Sequence, residues 1–475
     1  MPVSPRTTAA FTPHSGSRNK RCGALIPAII KSCDIMSISL SINNKSVSIS
    51  ETASWTAKGG LAVLDQGLFA GTNFIANLLL ARWLAPSEYG AFAVAYSVFL
   101  LFGTLYSSFL TEPMLVYGPG KYFSRIQQYL GFLLRGHFAI SASLSVMLFA
   151  VGLAVGRFYP MVGWALAGVA LAAPWILLVW FARSAFYVGS KPGWPAAGGA
   201  IYCAGLLSLV AMLRAMGHLT PFSALAAMGG ASLVVSALLL SRMRVRWRQS
   251  LDAKESRTVV ASHWGYGRWV APSRAAAWVP TNIYFAILPL WFGLSDAGGL
   301  KALLNFSMPI VHTMTALGVL ILPTLVRNQS KNGRSGITHT VRWFFALSFM
   351  GTIVYAALLW IFRDQALYLL YGEKYQHCSS LTFLLACLVP FGSCLAEPYS
   401  RALVAVERPD LMFKSSAAGG VVAIVLGVPL VAAFGLTGAL AGVSIAVIVF
   451  GLMSFLYYKK ECAAYVSASP AYVQT

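Results

Sequence analysis

The chain has 475 residues, 57% of them apolar and only 10% charged, with a mean hydropathy of +0.69. A soluble chain of this length needs far more charge on its surface, so the composition excludes an ordinary soluble globular protein. The net charge of +21 would suggest nucleic acid in a soluble protein. Here Lys and Arg fall mostly between apolar runs, where they set topology and meet anionic headgroups, and nucleic acid is not expected as a partner.

Residues 1 to about 50 are polar and lack the long apolar core of a signal peptide, because Ala24–Ile30 is short and split by Pro27. They read as a disordered tail, or as residues before a true start at Met36. Apolar runs follow at approximately 59–81, 90–110, 130–156, 160–181, 196–213, 222–241, 269–292, 298–323, 343–362, 380–404, 416–434 and 436–457. Each is long enough to cross a hydrocarbon core of roughly 30 Å. The expected fold is therefore an all-α integral membrane protein of about twelve transmembrane helices.

Basic residues orient it. With a cytoplasmic N-terminus the inner connections hold Lys121, Arg125, Lys191, the stretch Arg242–Arg257, Arg327, Lys331, Arg334, Arg408, Lys414, Lys459 and Lys460. The outer ones hold only Arg82, Arg157, Arg214, Arg363 and Lys374. This asymmetry predicts that both termini are cytoplasmic.

The two halves resemble one another. A shift of 209 lays Thr72-Asn73 on Thr281-Asn282 and the connector ending at Gly90 on the one ending at Gly299. Later, Arg183 with Lys191-Pro192 recurs as Arg401 with Arg408-Pro409, and Ala196–Gly199 recurs as Ala417–Gly420. Six spans per unit make this a parallel repeat about an axis along the membrane normal, with a central pathway expected between the halves. The organisation expected is a tail (1–50), a six-helix bundle (51–241), a basic linker (242–264), a second bundle (265–460) and a cytoplasmic tail (461–475).

Positive signs of catalysis are missing. There is no GxxxxGK[ST] loop, HExxH, GxSxG or cofactor motif, the 14 Asp and Glu residues form no acidic cluster, and the seven cysteines stand singly. Neither an enzyme, a cofactor nor a metal is expected. The informative residues are charges inside apolar spans, which cost several kcal/mol unless they face water or a partner. Asp65 lies about two turns into the first span, with Arg274 at the matching depth of the seventh. Two expectations stand for these opposite charges: that they meet across the lumen as a gate, or that Asp65 merely bonds a neighbouring helix and never sees Arg274. Arg135 and Arg342 begin the third and ninth spans, and Arg183 and Arg401 lie near the inner ends of the fourth and tenth. All four are close enough to an interface to snorkel instead. Glu397 stands one turn before Arg401, either as a structural pair or as a lumen site. His312 falls mid-span, as a packing or a functional residue. Glu88 and Glu112 are expected to cap or end helices.

Residues Asp65–Phe69, Asn73-Phe74 and Leu79–Phe92 (LLARWLAPSEYGAF) resemble the opening of polysaccharide-transporter and oligosaccharide-flippase proteins. These form part of the multidrug/oligosaccharidyl-lipid/polysaccharide (MOP) exporter superfamily. Leu294–Gly298 resembles the connector that recurs in its second half. The resemblance covers roughly residues 55 to 460. It implies two six-helix bundles around a V-shaped lumen in a bacterial inner membrane. It also implies transfer of a polyprenyl-pyrophosphate-linked oligosaccharide to the outer leaflet, with a polysaccharide polymerase and glycosyltransferases as partners. Within the spans and at their ends, Arg82, Arg135, Arg183, Arg274 and Arg401 can supply a field for the pyrophosphate, since arginine forks match phosphate oxygens. Two other readings compete: a drug or metabolite antiporter on the same fold, which would favour an acidic lumen, and a sugar polymerase or ligase, which would usually carry a long outer loop that is missing here.

Overall fold

The computed structural model describes residues 49–243, 245, 251–376 and 378–468. Residues 1–48 of the tail expected at 1–50, the question of a start at Met36, the core of the basic linker and residues 469–475 lie outside the described residues, while Ile49 and Ser50 already belong to a helix.

Every regular element described is helical. The first six spans are α1 (Ile49–Trp83), α2 (Pro86–Tyr117), α3 (Phe123–Gly156), α4 (Pro160–Val188), α5 (Gly193–Ala215) and α6 (Pro221–Met243). The seventh, α7, comprises Ala253–Asn282 and, after a break at Ile283, Tyr284–Trp291. The eighth, α8, begins as Leu294–Asn305 and enters the helix Met308–Ile361, whose later part Gly336–Ile361 is the ninth, α9. A short α10 (Arg363–Tyr371) precedes α11 (Ser380–Ala405). The segment Pro409–Cys462 then supplies α12 and α13, divided at Gly435. Twelve membrane spans result, with α10 as an additional short helix that the apolar pattern does not signal.

Two of the divisions are set by local chemistry. Gly435 takes φ 54° and ψ −128°, outside the helical region and sterically open chiefly to glycine. The 54 residues from Met308 to Ile361 would reach about 80 Å as one straight helix. Asn328 nevertheless donates to the Thr340 hydroxyl at 2.8 Å, so the chain reverses between them and α8 and α9 run antiparallel.

The internal repeat is visible in packing. In α5, a side chain on Gly198 would press on Val235 of α6, and one on Gly199 on Leu68 and Phe69 of α1. In α12, Gly419 meets Ala446 and Phe450 of α13, and Gly420 meets Ala276 of α7. Asn73 and Asn282 each donate to the carbonyl four residues earlier, at 2.8 and 3.1 Å. The α2 and α8 helices cross by a reciprocal contact. A Cβ on Gly90 would collide with the Leu294 carbonyl, and one on Gly298 with the Pro86 carbonyl. These pairs are related by 208, not 209, so the seventh span is one residue shorter than the first between Asn282 and Trp291. The helix break at Ile283 falls in that stretch.

Two π-turns interrupt the spans, at Ser107–Thr111 in α2 and Ala423–Gly427 in α12. Such turns free backbone carbonyls that need partners. In both cases α7 supplies one. His263 Nδ1 donates to the Phe109 carbonyl at 2.8 Å, leaving Nε2 to accept from the Tyr129 hydroxyl, and the Tyr284 hydroxyl donates to the Ala423 carbonyl at 2.9 Å.

Candidate functional site

Four groups of charge stand out within the spans. In the first half, Asp65 on α1 is fully buried and accepts a two-pronged contact from Arg183 on α4, Nε to Oδ1 at 3.1 Å and Nη2 to Oδ2 at 2.7 Å. The Tyr187 hydroxyl adds a third donor at 2.6 Å. The Arg183 guanidinium lies 3.8 Å from the centroid of the Phe69 ring, which in turn stacks on Tyr202. The carboxylate is thus fully satisfied without any group from the second half.

Arg274 does not meet Asp65. It pairs across the halves with Glu112, just after the π-turn of α2, at 2.9 Å. The expectation of an Asp65–Arg274 gate is corrected accordingly, and so is that of Glu112 as a helix-ending residue alone. Arg183 is carried on α4 of the same half and reaches Asp65 first. Glu88 does cap, its carboxylate accepting from the Ala85 amide at 2.9 Å.

At the position equivalent to Asp65 the second half carries arginine, so Arg401, the counterpart of Arg183, has no acid to reach on α7. It takes Glu397 from its own helix at 2.6 Å. That pair lies against Gly318 of α8, where any side chain would collide with both charged groups.

The fourth group is a single residue that the sequence does not single out. Lys301, on α8, is only 7% exposed, and none of the ion pairs among the described residues includes it. Its ammonium lies 5.5 Å from the centroid of Tyr96 on α2. It lines a cavity of about 370 Å³ bounded by α2, α7, α8, α11, α12 and α13.

The remaining nominated residues are dispersed. Arg82 is exposed at the end of α1, donating to the Leu369 carbonyl of α10, while Lys374 donates to the carbonyls of Arg82 (2.6 Å) and Leu84 (2.5 Å). Arg82 therefore joins the two halves at the α1–α2 corner. Partial burial there, with Arg214 nearby, holds the pKa of Lys374 below the ordinary lysine value. Arg135 lies more than two turns inside α3 and is exposed, as is His312 on α8, and neither enters an ion pair among those described.

Contacts between the halves gather where α2 meets α8: the Gly90–Gly298 crossing, Asn305 Nδ2 donating to the Tyr89 hydroxyl at 3.0 Å, and Lys301 against Tyr96. A second line follows α7 along α2, through Trp278 Nε1 to the Ser97 carbonyl (3.1 Å), Arg274 to Glu112, and His263 to Phe109.

Twelve spans in a duplicated order, joined through α2 and α8, make this a multi-pass membrane protein, and solved transporters of the MOP superfamily share its fold. No protein-family model and no curated protein matches the sequence. Solved structures do match. A multidrug resistance MATE family transporter of the MOP superfamily, in an inward-facing conformation, superposes with a TM-score of 0.69 at 14% identity, over 85% of this chain and 96% of the other. The lipid II flippase MurJ, inward closed, gives 0.65 at 13%, over 84% and 87%. A MOP superfamily transporter from Pyrococcus furiosus, described as having a binding pocket of reverse polarity, gives 0.61 at 12%, over 86% and 96%.

Proposed function

We propose that this chain is a polysaccharide-biosynthesis transporter of a bacterial inner membrane. In this reading it flips a polyprenyl-pyrophosphate-linked oligosaccharide from the inner to the outer leaflet by alternating access, with both termini in the cytoplasm. Its partners are the lipid-linked substrate, membrane lipids, glycosyltransferases that build the oligosaccharide, and a polymerase that uses it. The bundle boundaries expected from the sequence belong to this proposal.

One observation carries the reading. The three carboxylates deepest in the described spans are each matched by an arginine, Asp65 by Arg183, Glu112 by Arg274 and Glu397 by Arg401, whereas Glu88 and Asp296, which no arginine pairs, stand in the first turns of α2 and α8. A transporter of cations needs a carboxylate free to take its cargo, because an ion already paired offers little further attraction. The charges left over are basic, with Lys301 buried and Arg135 exposed, and these suit an anionic substrate. The arginines nominated for pyrophosphate are largely spent on carboxylates, so the anion-binding role shifts toward the unpaired cations.

Alternating access on this framework means that the halves part at the α2–α8 crossing while the pairs within each half persist. Asp65 and Arg183 then act as a rigid internal strut of the first bundle. The antiporter reading on the same fold is separated by a deletion strain. Loss of the chain is expected to make the lipid-linked repeat unit accumulate in the inner leaflet while its synthesis continues. Unchanged surface polysaccharide with altered drug or cation resistance would overturn the flippase reading in favour of the antiporter.

A further inference from the structure

The cavity at Lys301 is built as a receptor for negative charge. An ammonium held away from water without a counter-ion costs several kcal/mol, and proteins normally relieve that cost with a carboxylate. None among the described residues pairs with Lys301, and a few polar side chains interrupt a cavity wall that is mostly apolar. Thr281, Asn282, Ser393 and Ser416 line it, and Leu100 of α2 contributes an apolar edge.

Existing hydrogen bonds leave some of these groups free to donate. The Asn282 amide is spent on the Trp278 carbonyl and on Thr281 Oγ1. Thr281 accepts there, so its own hydroxyl proton remains available. The Ser393 and Ser416 hydroxyls have no hydrogen bond among the described residues. Lys301 therefore faces a cavity with three hydroxyl donors and no carboxylate on its walls. The volume of about 370 Å³ falls in the range of ligand sites, which begins near roughly 300 Å³, and exceeds what a lone halide would require. An ammonium with three protons suits the many-sided oxygens of a phosphate.

We propose that this pocket of the second half, beneath the α2–α8 crossing, binds a phosphate-class oxoanion on Lys301, with the Thr281, Ser393 and Ser416 hydroxyls completing its shell. The anion is either the pyrophosphate of a lipid carrier or a free phosphate compound. The inference rests on the flippase reading only for the choice of the lipid-borne source. Because Leu100 of the first half lines this pocket and Tyr96 of the same helix lies against Lys301, an occupant neutralises the lysine where the halves meet.

The test is equilibrium binding of radiolabelled inorganic pyrophosphate, and separately of farnesyl pyrophosphate, to the purified full chain in nanodiscs. Saturable binding is expected in the wild type. Lys301→Met should weaken it about a hundredfold, as removal of one partner of a buried charge pair does, and Lys301→Arg should retain most of it. Removing an uncompensated buried cation should leave the melting temperature of Lys301→Met equal or higher, which separates a binding role from a packing role. Thr281→Val combined with Ser416→Ala leaves the lysine in place and should weaken binding about tenfold through lost donors to a charged group. Binding of both probes identifies the free anion as sufficient, and binding of farnesyl pyrophosphate alone identifies the lipid-borne group. Wild-type protein that saturates with neither probe, or a Lys301→Met variant that binds like wild type, would overturn the proposal. Lys301-dependent binding in a chain that flips no lipid-linked oligosaccharide would uphold the pocket and remove only the flippase reading.

Discussion

At the scale of single residues, the depth of a charge was legible in the sequence and its partner was not. Asp65, Arg183, Arg274, Glu397 and Arg401 were all marked by their place in apolar runs. The equivalence of Asp65 and Arg274 under the repeat suggested that the two meet, but pairing is decided by which helices adjoin, and α4 adjoins α1 within one bundle. Lys301 escaped because it stands near the start of its run, five residues after Asp296, and reads as a flank. Only the packing of α2 over α8 buries it. The Asp65–Arg183 pair lends itself to a direct check. With Asp65 at 0% and Arg183 at 13% side-chain exposure, Arg183→Met leaves a buried carboxylate uncompensated and should cost about 3–5 kcal/mol. Asp65→Asn added to it should restore most of that loss, measured by thermal unfolding in detergent. Additive losses in the double variant would contradict a strut made of this pair.

At the scale of elements, the apolar runs gave twelve spans because length and hydropathy are properties of contiguous residues. The division between 434 and 436 fell at the positive-φ Gly435. The pattern did not show the two π-turns, the short α10 or the one-residue slip in α7, since each depends on which backbone group finds a partner in three dimensions. The reciprocal contact of Gly90 and Gly298 makes the α2–α8 crossing dependent on glycine at both positions. Gly90→Val or Gly298→Val should force the helices apart there. Spin labels at Ser87 and Ser295 should report a longer distance in either variant than in the wild type, and an unchanged distance distribution would show that the crossing tolerates side chains. Orientation is tested at the same scale. A reporter fused after Lys460 should read cytoplasm and one inserted at Ser295 should read periplasm, as the basic residues of the inner connections require. Both on one side would break the twelve-span topology.

At the scale of the whole molecule, the repeat places two similar bundles side by side, but their charges differ. The first closes its acid and base within itself, whereas the second carries arginine where the first has Asp65 and so turns outward for partners, to Glu112 across the halves and to Glu397 along its own helix. Those pairs occupy the three carboxylates deepest in the described spans and leave Lys301 buried without an acid, which is the physical ground on which an anionic cargo is proposed. The most direct measurement is made with purified protein in proteoliposomes containing a fluorescent polyprenyl-pyrophosphate oligosaccharide, by following the labelled head group's exposure to a membrane-impermeant quencher. The expected result is exchange between leaflets at a rate well above that of empty liposomes, reduced in Lys301→Met. No exchange above the empty-liposome rate, together with uptake of a cationic dye in exchange for protons by the same preparation, would contradict the anionic-substrate flippase.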